Sequence, residues 1–146
     1  MIGSPRVDPD VIVVDASIIA PLLIDDETPI PAWVLERLMT IPLLAPSHWP
    51  LETANMLHVA ERRQRIDRAA RDRALRLVRR LEVSLVAEAL DRAWEAVSQL
   101  ADRYRLTIYD AAYLDLAIRR DAALATLDGA LVSAARDSAI EVITYL

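Results

Sequence analysis

Residues 11–15, Val-Ile-Val-Val-Asp, constrain the fold more than any other stretch. Four consecutive β-branched apolar residues leave no polar face for water. The run therefore reads as a strand buried on both sides, in the middle of a parallel sheet. It stops at a carboxylate, Asp15, followed by a small residue and a hydroxyl, Ala16 and Ser17. An acid at the carboxyl end of a central parallel strand stands where open α/β sheets place their ligands. Whether Asp15 begins a metal-binding set depends on where the other acids fall.

Downstream, short apolar runs at 41–45, 83–86, 122–126 and 141–145 predict four more strands. Between them, apolar periodicity predicts helices over 17–23, 31–39, 49–63, 67–80, 90–104, 107–120 and from 128 onward. The clearest is 90–104, where Leu90, Ala93, Trp94, Val97, Leu100, Ala101 and Tyr104 form one stripe and place Trp94 in the core. Strands alternating with helices predict an α/β fold with a parallel sheet covered on both faces. The chain reads as one domain over 1–146, with residues 1–10 a polar lead-in.

Composition closes several chemistries. There is no cysteine, which removes disulfides, thiolate zinc sites and a cysteine nucleophile. All 17 basic residues are arginine, so Schiff-base lysines and P-loops are excluded. The only histidines are His48 and His58, too few for a histidine-rich metal centre and expected to pack or lie at the surface. No apolar run approaches the roughly 18 residues that span a bilayer, and the first residues do not read as a signal peptide, so a cytoplasmic protein is expected.

Four carboxylates fall at strand ends or helix starts: Asp15, Glu52, Asp110 and Asp128. Each alone has an ordinary structural use. Asp15 and Asp128 suit N-caps, Thr107-x-x-Asp110 suits a capping box, and Glu52 suits a first helical turn. Together they are harder to dismiss, because in a right-handed parallel sheet such points share one edge. Four carboxylates crowded there repel one another and raise at least one pKa unless a cation sits among them. Mg²⁺ and Mn²⁺ take oxygen ligands of this kind, and a site of carboxylates alone suits phosphoryl-transfer chemistry. Ser17, Asn55 and Thr126 lie at spacings that let each hold a carboxylate or a metal-bound water.

These residues carry a resemblance. Val14-Asp15-Ala16-Ser17, Pro50-Leu51-Glu52-Thr53-Ala54-Asn55-Met56-Leu57, Tyr109-Asp110-Ala111-Ala112-Tyr113-Leu114 and Thr126-Leu127-Asp128 appear in the order seen in PIN-domain ribonucleases. The chain especially resembles the toxin subunits of VapBC-type toxin–antitoxin pairs. The resemblance implies an α/β/α sandwich with a five-stranded, mainly parallel sheet and Mg²⁺- or Mn²⁺-dependent endoribonuclease activity. It also implies a homodimer inhibited by an antitoxin protein, with Asp15, Glu52, Asp110 and Asp128 as the catalytic metal ligands. A metal-dependent phosphohydrolase on DNA or small phosphate esters, and a catalytically weak binding module, are the alternatives. Receiver domains require a lysine, and haloacid-dehalogenase phosphatases a second aspartate where Ser17 stands.

Formal charge is −5, but unevenly spread: residues 61–80 hold nine arginines against Glu61, Asp67 and Asp72. Arg62, Arg63, Arg65 and Arg68 are candidates for RNA or antitoxin contact, against the plain alternative of a solvated helix face. Asp115 lies about 140° round its helix from Asp110 and is expected to face solvent or an interface.

Overall fold

The computed structural model describes residues 8–146. Of the expected lead-in, residues 1–7 lie outside the described residues, and 8–10 carry neither helix nor strand. Five strands form one sheet: β1 (Ile12–Val14), β2 (Leu43–Pro46), β3 (Val83–Val86), β4 (Ala123–Ala125) and β5 (Val142–Ile143). Their order is β3-β2-β1-β4-β5, and every neighbouring pair is parallel. β1 and β4 are buried at every position, as unbroken apolar strands at the centre of a covered sheet must be.

Helices flank the sheet: α1 (Ala16–Leu23), α2 (Ala32–Thr40), α3 (Trp49–Arg62), α4 (Arg68–Arg80), α5 (Leu90–Arg92), α6 (Ser98–Tyr104), α7 (Ile108–Arg120) and α8 (Gly129–Asp137). α7 packs against β1, β2 and β4 and is buried from Ala111 to Ala117. The chain has only two glycines, and left-handed backbone falls instead on Gln64, Arg105, Asp121 and Ala139, each just past a helix. None of the helices among the described residues is long and apolar enough to cross a membrane.

Two sequence expectations fail here. Trp94 is not in the core but 71% exposed. Residues 90–104 do form a continuous helical segment, but Ala93–Val97 is a π-turn joining α5 to α6. The wider π-turn shifts the helical phase, so an apolar stripe counted at 3.6 residues per turn does not carry across it. Val97 and Ala101 stay inside against Ala111 and Ala112, while Trp94 is turned out.

Asp115 is not solvent-facing but 2% exposed. Arg92 donates to both its carboxylate oxygens, from Nη2 at 2.5 Å and Nε at 3.0 Å, and Arg119 Nε donates at 2.9 Å. Arg119 Nη2 reaches on to Glu88 at 2.8 Å. The helical-wheel angle placed Asp115 on a face other than that of Asp110. What covers that face is the segment running from Glu88 to Arg92, and two guanidinium groups offset the charge it buries.

Candidate active site

The sheet changes direction between β1 and β4. From β1 the chain moves outward to β2 and β3; from β4 it moves the other way to β5. Right-handed crossovers then send the helices that follow these two strands to opposite faces, so α1 packs on α3 while α8 packs on α7. A crevice at the carboxyl ends of the two strands is the expected ligand position.

Asp15 follows β1 at this point and is 4% exposed. It occupies the N-cap position of α1, yet its side chain makes no capping bond. Its Oδ2 instead accepts from Ser17 Oγ at 2.6 Å and from Thr126 Oγ1 at 2.8 Å. The two hydroxyls are themselves fixed by backbone donors: Leu127 N–H to Ser17 Oγ at 2.9 Å, and Asp128 N–H to Thr126 Oγ1 at 3.0 Å. Both hydroxyl protons thus converge on one oxygen, and among the described residues Oδ1 accepts no hydrogen bond. Burial pushes the Asp15 carboxyl up from 3.8 to about 6; the Ser17 and Thr126 hydroxyls oppose this, and the charges of Glu52 and Asp110 reinforce it.

Glu52 and Asp110 lie within electrostatic reach of Asp15, and Asp128 within reach of Asp110. Asp128 caps α8, accepting from Leu131 N–H at 2.9 Å, so its structural use is real. Thr107 caps α7 by accepting from Asp110 N–H at 3.1 Å, which places Asp110 in the first turn. The Asp110 carboxyl is raised by partial burial and by the charges of Asp128 and Glu52, against the Thr107 hydroxyl and His48, which lower it. Glu52, in the first turn of α3, lines with Asp110 an open cleft of about 350 Å³. α3 also supplies Leu51 and Asn55 to this cleft, His48 enters just before α3, and Thr107 and Tyr109 come from the start of α7.

The acids lie at the carboxyl edge of the sheet, but they are not a ready-made cage. Among the described residues no three His, Asp or Glu side chains are placed to hold one ion together. Their chemistry still fits a hard divalent cation: all are oxygen donors, and the charges of neighbouring acids help to raise the Asp15 and Asp110 carboxyls. In addition, Glu52 Oε1 is buried without a hydrogen-bond partner. Of the three companions, Ser17 and Thr126 do bind a site acid, while Asn55 only lines the cleft.

Two residues at this edge have no place in the site read from sequence, where His48 is expected only to pack or lie at the surface and Tyr113 stands only within a motif. His48 Nε2 lies 2.8 Å from Glu52 Oε1, close enough for a charge contact but off the line of a hydrogen bond. Its ring packs edge-to-face on both Tyr109 and Tyr113, with centroids 5.3 and 5.2 Å away. Tyr113 is fully buried, with its hydroxyl unpartnered among the described residues. Burial first, then the charges of Glu52 and Asp15, hold its phenol well above the ordinary range. The four-residue spacing of His48 to Glu52 and Tyr109 to Tyr113 was the available signal.

The arginine run divides. Arg65 is bound to Asp26 through Nε and Nη2, at 3.0 and 2.6 Å, and to Glu27 at 2.6 Å. Arg71 pairs with Glu61 and Asp72. Arg62, Arg63 and Arg68 are exposed, the last only 3.9 Å from Glu61.

A parallel sheet with helices on both sides defines the α/β/α class of folds. Within it the PIN domain pattern matches residues 12–137, and the chain belongs to the PIN domain family. Similar solved structures include PAE2754 from Pyrobaculum aerophilum, 26% identical, TM-score 0.63, covering 84% of this chain and 83% of that one. VapC20 of Mycobacterium tuberculosis, a sarcin–ricin-loop-cleaving toxin, is 21% identical with TM-score 0.59, over 84% of this chain and 94% of that one. FitAcB from Neisseria gonorrhoeae is 14% identical with TM-score 0.60, over 91% and 96%. No curated protein matches the chain.

Proposed function

We propose that this protein is a Mg²⁺- or Mn²⁺-dependent endoribonuclease, the toxin of a toxin–antitoxin pair. The observation that carries the reading is the placement of Asp15, Glu52, Asp110 and Asp128 at the switch point of a PIN fold, with the Asp15 and Asp110 carboxyls both raised, first by burial and then by neighbouring acids. The sarcin–ricin-loop cleavage named for VapC20 supports RNA as substrate.

Asp15, Glu52, Asp110 and Asp128 would hold the ion, which when bound activates water and neutralises charge developing on the phosphate. Asp15 is positioned by Ser17 and Thr126, so one oxygen is committed and the other remains a ligand. One of Glu52 and Asp110, both on the cleft wall, orients the attacking water and takes its proton. The water oxygen forms a bond to phosphorus, the bond to one bridging ribose oxygen breaks, and that oxygen leaves with a proton. Exposed Arg62, Arg63 and Arg68 are the candidates for contact with RNA phosphates or an acidic antitoxin segment; Arg65 is occupied within the chain. A cytoplasmic homodimer completes the proposal.

The test is cleavage of total cellular RNA by antitoxin-free protein in Mg²⁺, in Mn²⁺ and in EDTA. Discrete fragments are expected with metal and none with EDTA, and Asp110→Asn, partly exposed and so compatible with folding, abolishes them. Cleavage persisting in EDTA, or in folded Asp110→Asn, would overturn the assignment.

A further inference from the structure

The cleft beside the acids has a chemical problem as a binding site for RNA. It is lined by Glu52 and Asp110 and by no arginine, so no guanidinium of the cleft itself meets the phosphate backbone. The affinity has to come from other contacts. The same cleft carries two large apolar side chains held in the open, Tyr109 at 63% and Leu51 at 75% exposed. Each is the immediate sequence neighbour of a cleft acid, Tyr109 of Asp110 and Leu51 of Glu52.

Tyr109 is also braced. His48 packs on it at 62° between ring planes, and His48 in turn packs at 80° on the fully buried Tyr113. The three rings run from the core to the surface, so the exposed ring sits on a rigid mount and gives up little freedom when covered. An aromatic ring presented in this way accepts the face of an unpaired base, whatever its sequence, because every base has a π-face.

We infer that Tyr109 is a stacking platform for an unpaired nucleobase of the RNA strand, with Leu51 as the second apolar wall of the same subsite. The base so held lies next to the acids and fixes which phosphate is presented to them. This inference rests on the endoribonuclease reading.

The probe is a fluorescein-labelled single-stranded RNA 12-mer, together with a series carrying one abasic ribose at successive positions. Binding is read by anisotropy in Mg²⁺ on an Asp15→Asn background, which prevents cleavage without touching the cleft. Tyr109→Ala is expected to weaken binding about 5- to 150-fold, the range for loss of one stacked base. Tyr109→Phe stays within about twofold of the parent, since the ring and not the hydroxyl is used. One abasic position weakens the parent to the same degree and leaves Tyr109→Ala unaffected. Equal affinity of Tyr109→Ala and parent, or a flat abasic series, would overturn the inference and leave the exposed ring to a protein partner. Wild-type protein that neither binds nor cleaves RNA would remove the endoribonuclease reading, and the platform with it.

Discussion

Replacing Asp15 by asparagine keeps the shape of the side chain and an acceptor for the Ser17 and Thr126 hydroxyls, and removes the charge. The carboxyl is pushed up from 3.8 to about 6, chiefly by burial, so the folded state holds its proton more tightly than the unfolded chain does. The sign follows: this proton stabilises the fold fully below pH 3.8, and the stabilisation is lost as pH rises through 6. The complete shift corresponds to about 3 kcal/mol, of which about 2–3 kcal/mol is expressed between pH 7.5 and pH 4. The amide of the variant does not titrate and carries no such linkage. The stability of wild type relative to Asp15→Asn should therefore rise by about 2–3 kcal/mol as pH falls from 7.5 to 4. In melting temperature, this amounts to about 6–9 °C for a chain of this size. Urea unfolding of both proteins in EDTA, at half-unit pH intervals, measures the difference while cancelling the other titrating groups. A difference that stays flat across this window would refute the claim that burial dominates at Asp15.

Asp115→Asn leaves Arg92 and Arg119 without their shared counter-charge and should lower stability by about 3 kcal/mol in urea unfolding, with RNA cleavage at 25 °C unchanged. Ala139 has φ 58° and is exposed, so Ala139→Gly should raise stability by about 1 kcal/mol, seen as a melting temperature about 3 °C higher. Adding Mn²⁺ at a hundred times its Kd should stabilise the wild type by about 2.7 kcal/mol, and folded Asp15→Asn by much less at the same concentration. Equal metal stabilisation of the two would take Asp15 out of the ligand set.

The sequence was most readable where one local rule decides the outcome. The run from Val11 to Val14 reads as a buried strand and forms one over Ile12–Val14, and acids after buried parallel strands must lie at one edge, whatever the packing around them. It was least readable where distant segments supply the partners. The pairing of Asp115 with Arg92 and the occupation of Arg65 by Asp26 and Glu27 depend on segments folding back over 23 to 39 residues. Trp94 was misplaced for a different reason: a single π-turn breaks the periodicity on which the helical stripe was counted. The cap readings proved divisible residue by residue. Asp128 does cap its helix, whereas Asp15, in the same kind of position, gives its carboxylate to two hydroxyls instead. Local pattern could not tell these apart, because one of the hydroxyls that decide the matter for Asp15 belongs to Thr126.

That bond joins residues 111 positions apart, and it has a consequence for the birth of the protein. β1 is the first strand of the sheet to leave the ribosome's tunnel, yet one of its two neighbours is β4, made long after it. Until then the growing chain has Asp15 on an open strand edge, with neither Thr126 to orient it nor Asp128 across the crevice. A protein proposed to cut RNA is thus assembled, while still attached to an RNA machine, in a form whose cutting edge is incomplete. The arrangement that would do the cutting exists only once β4 and the start of α8 have been made.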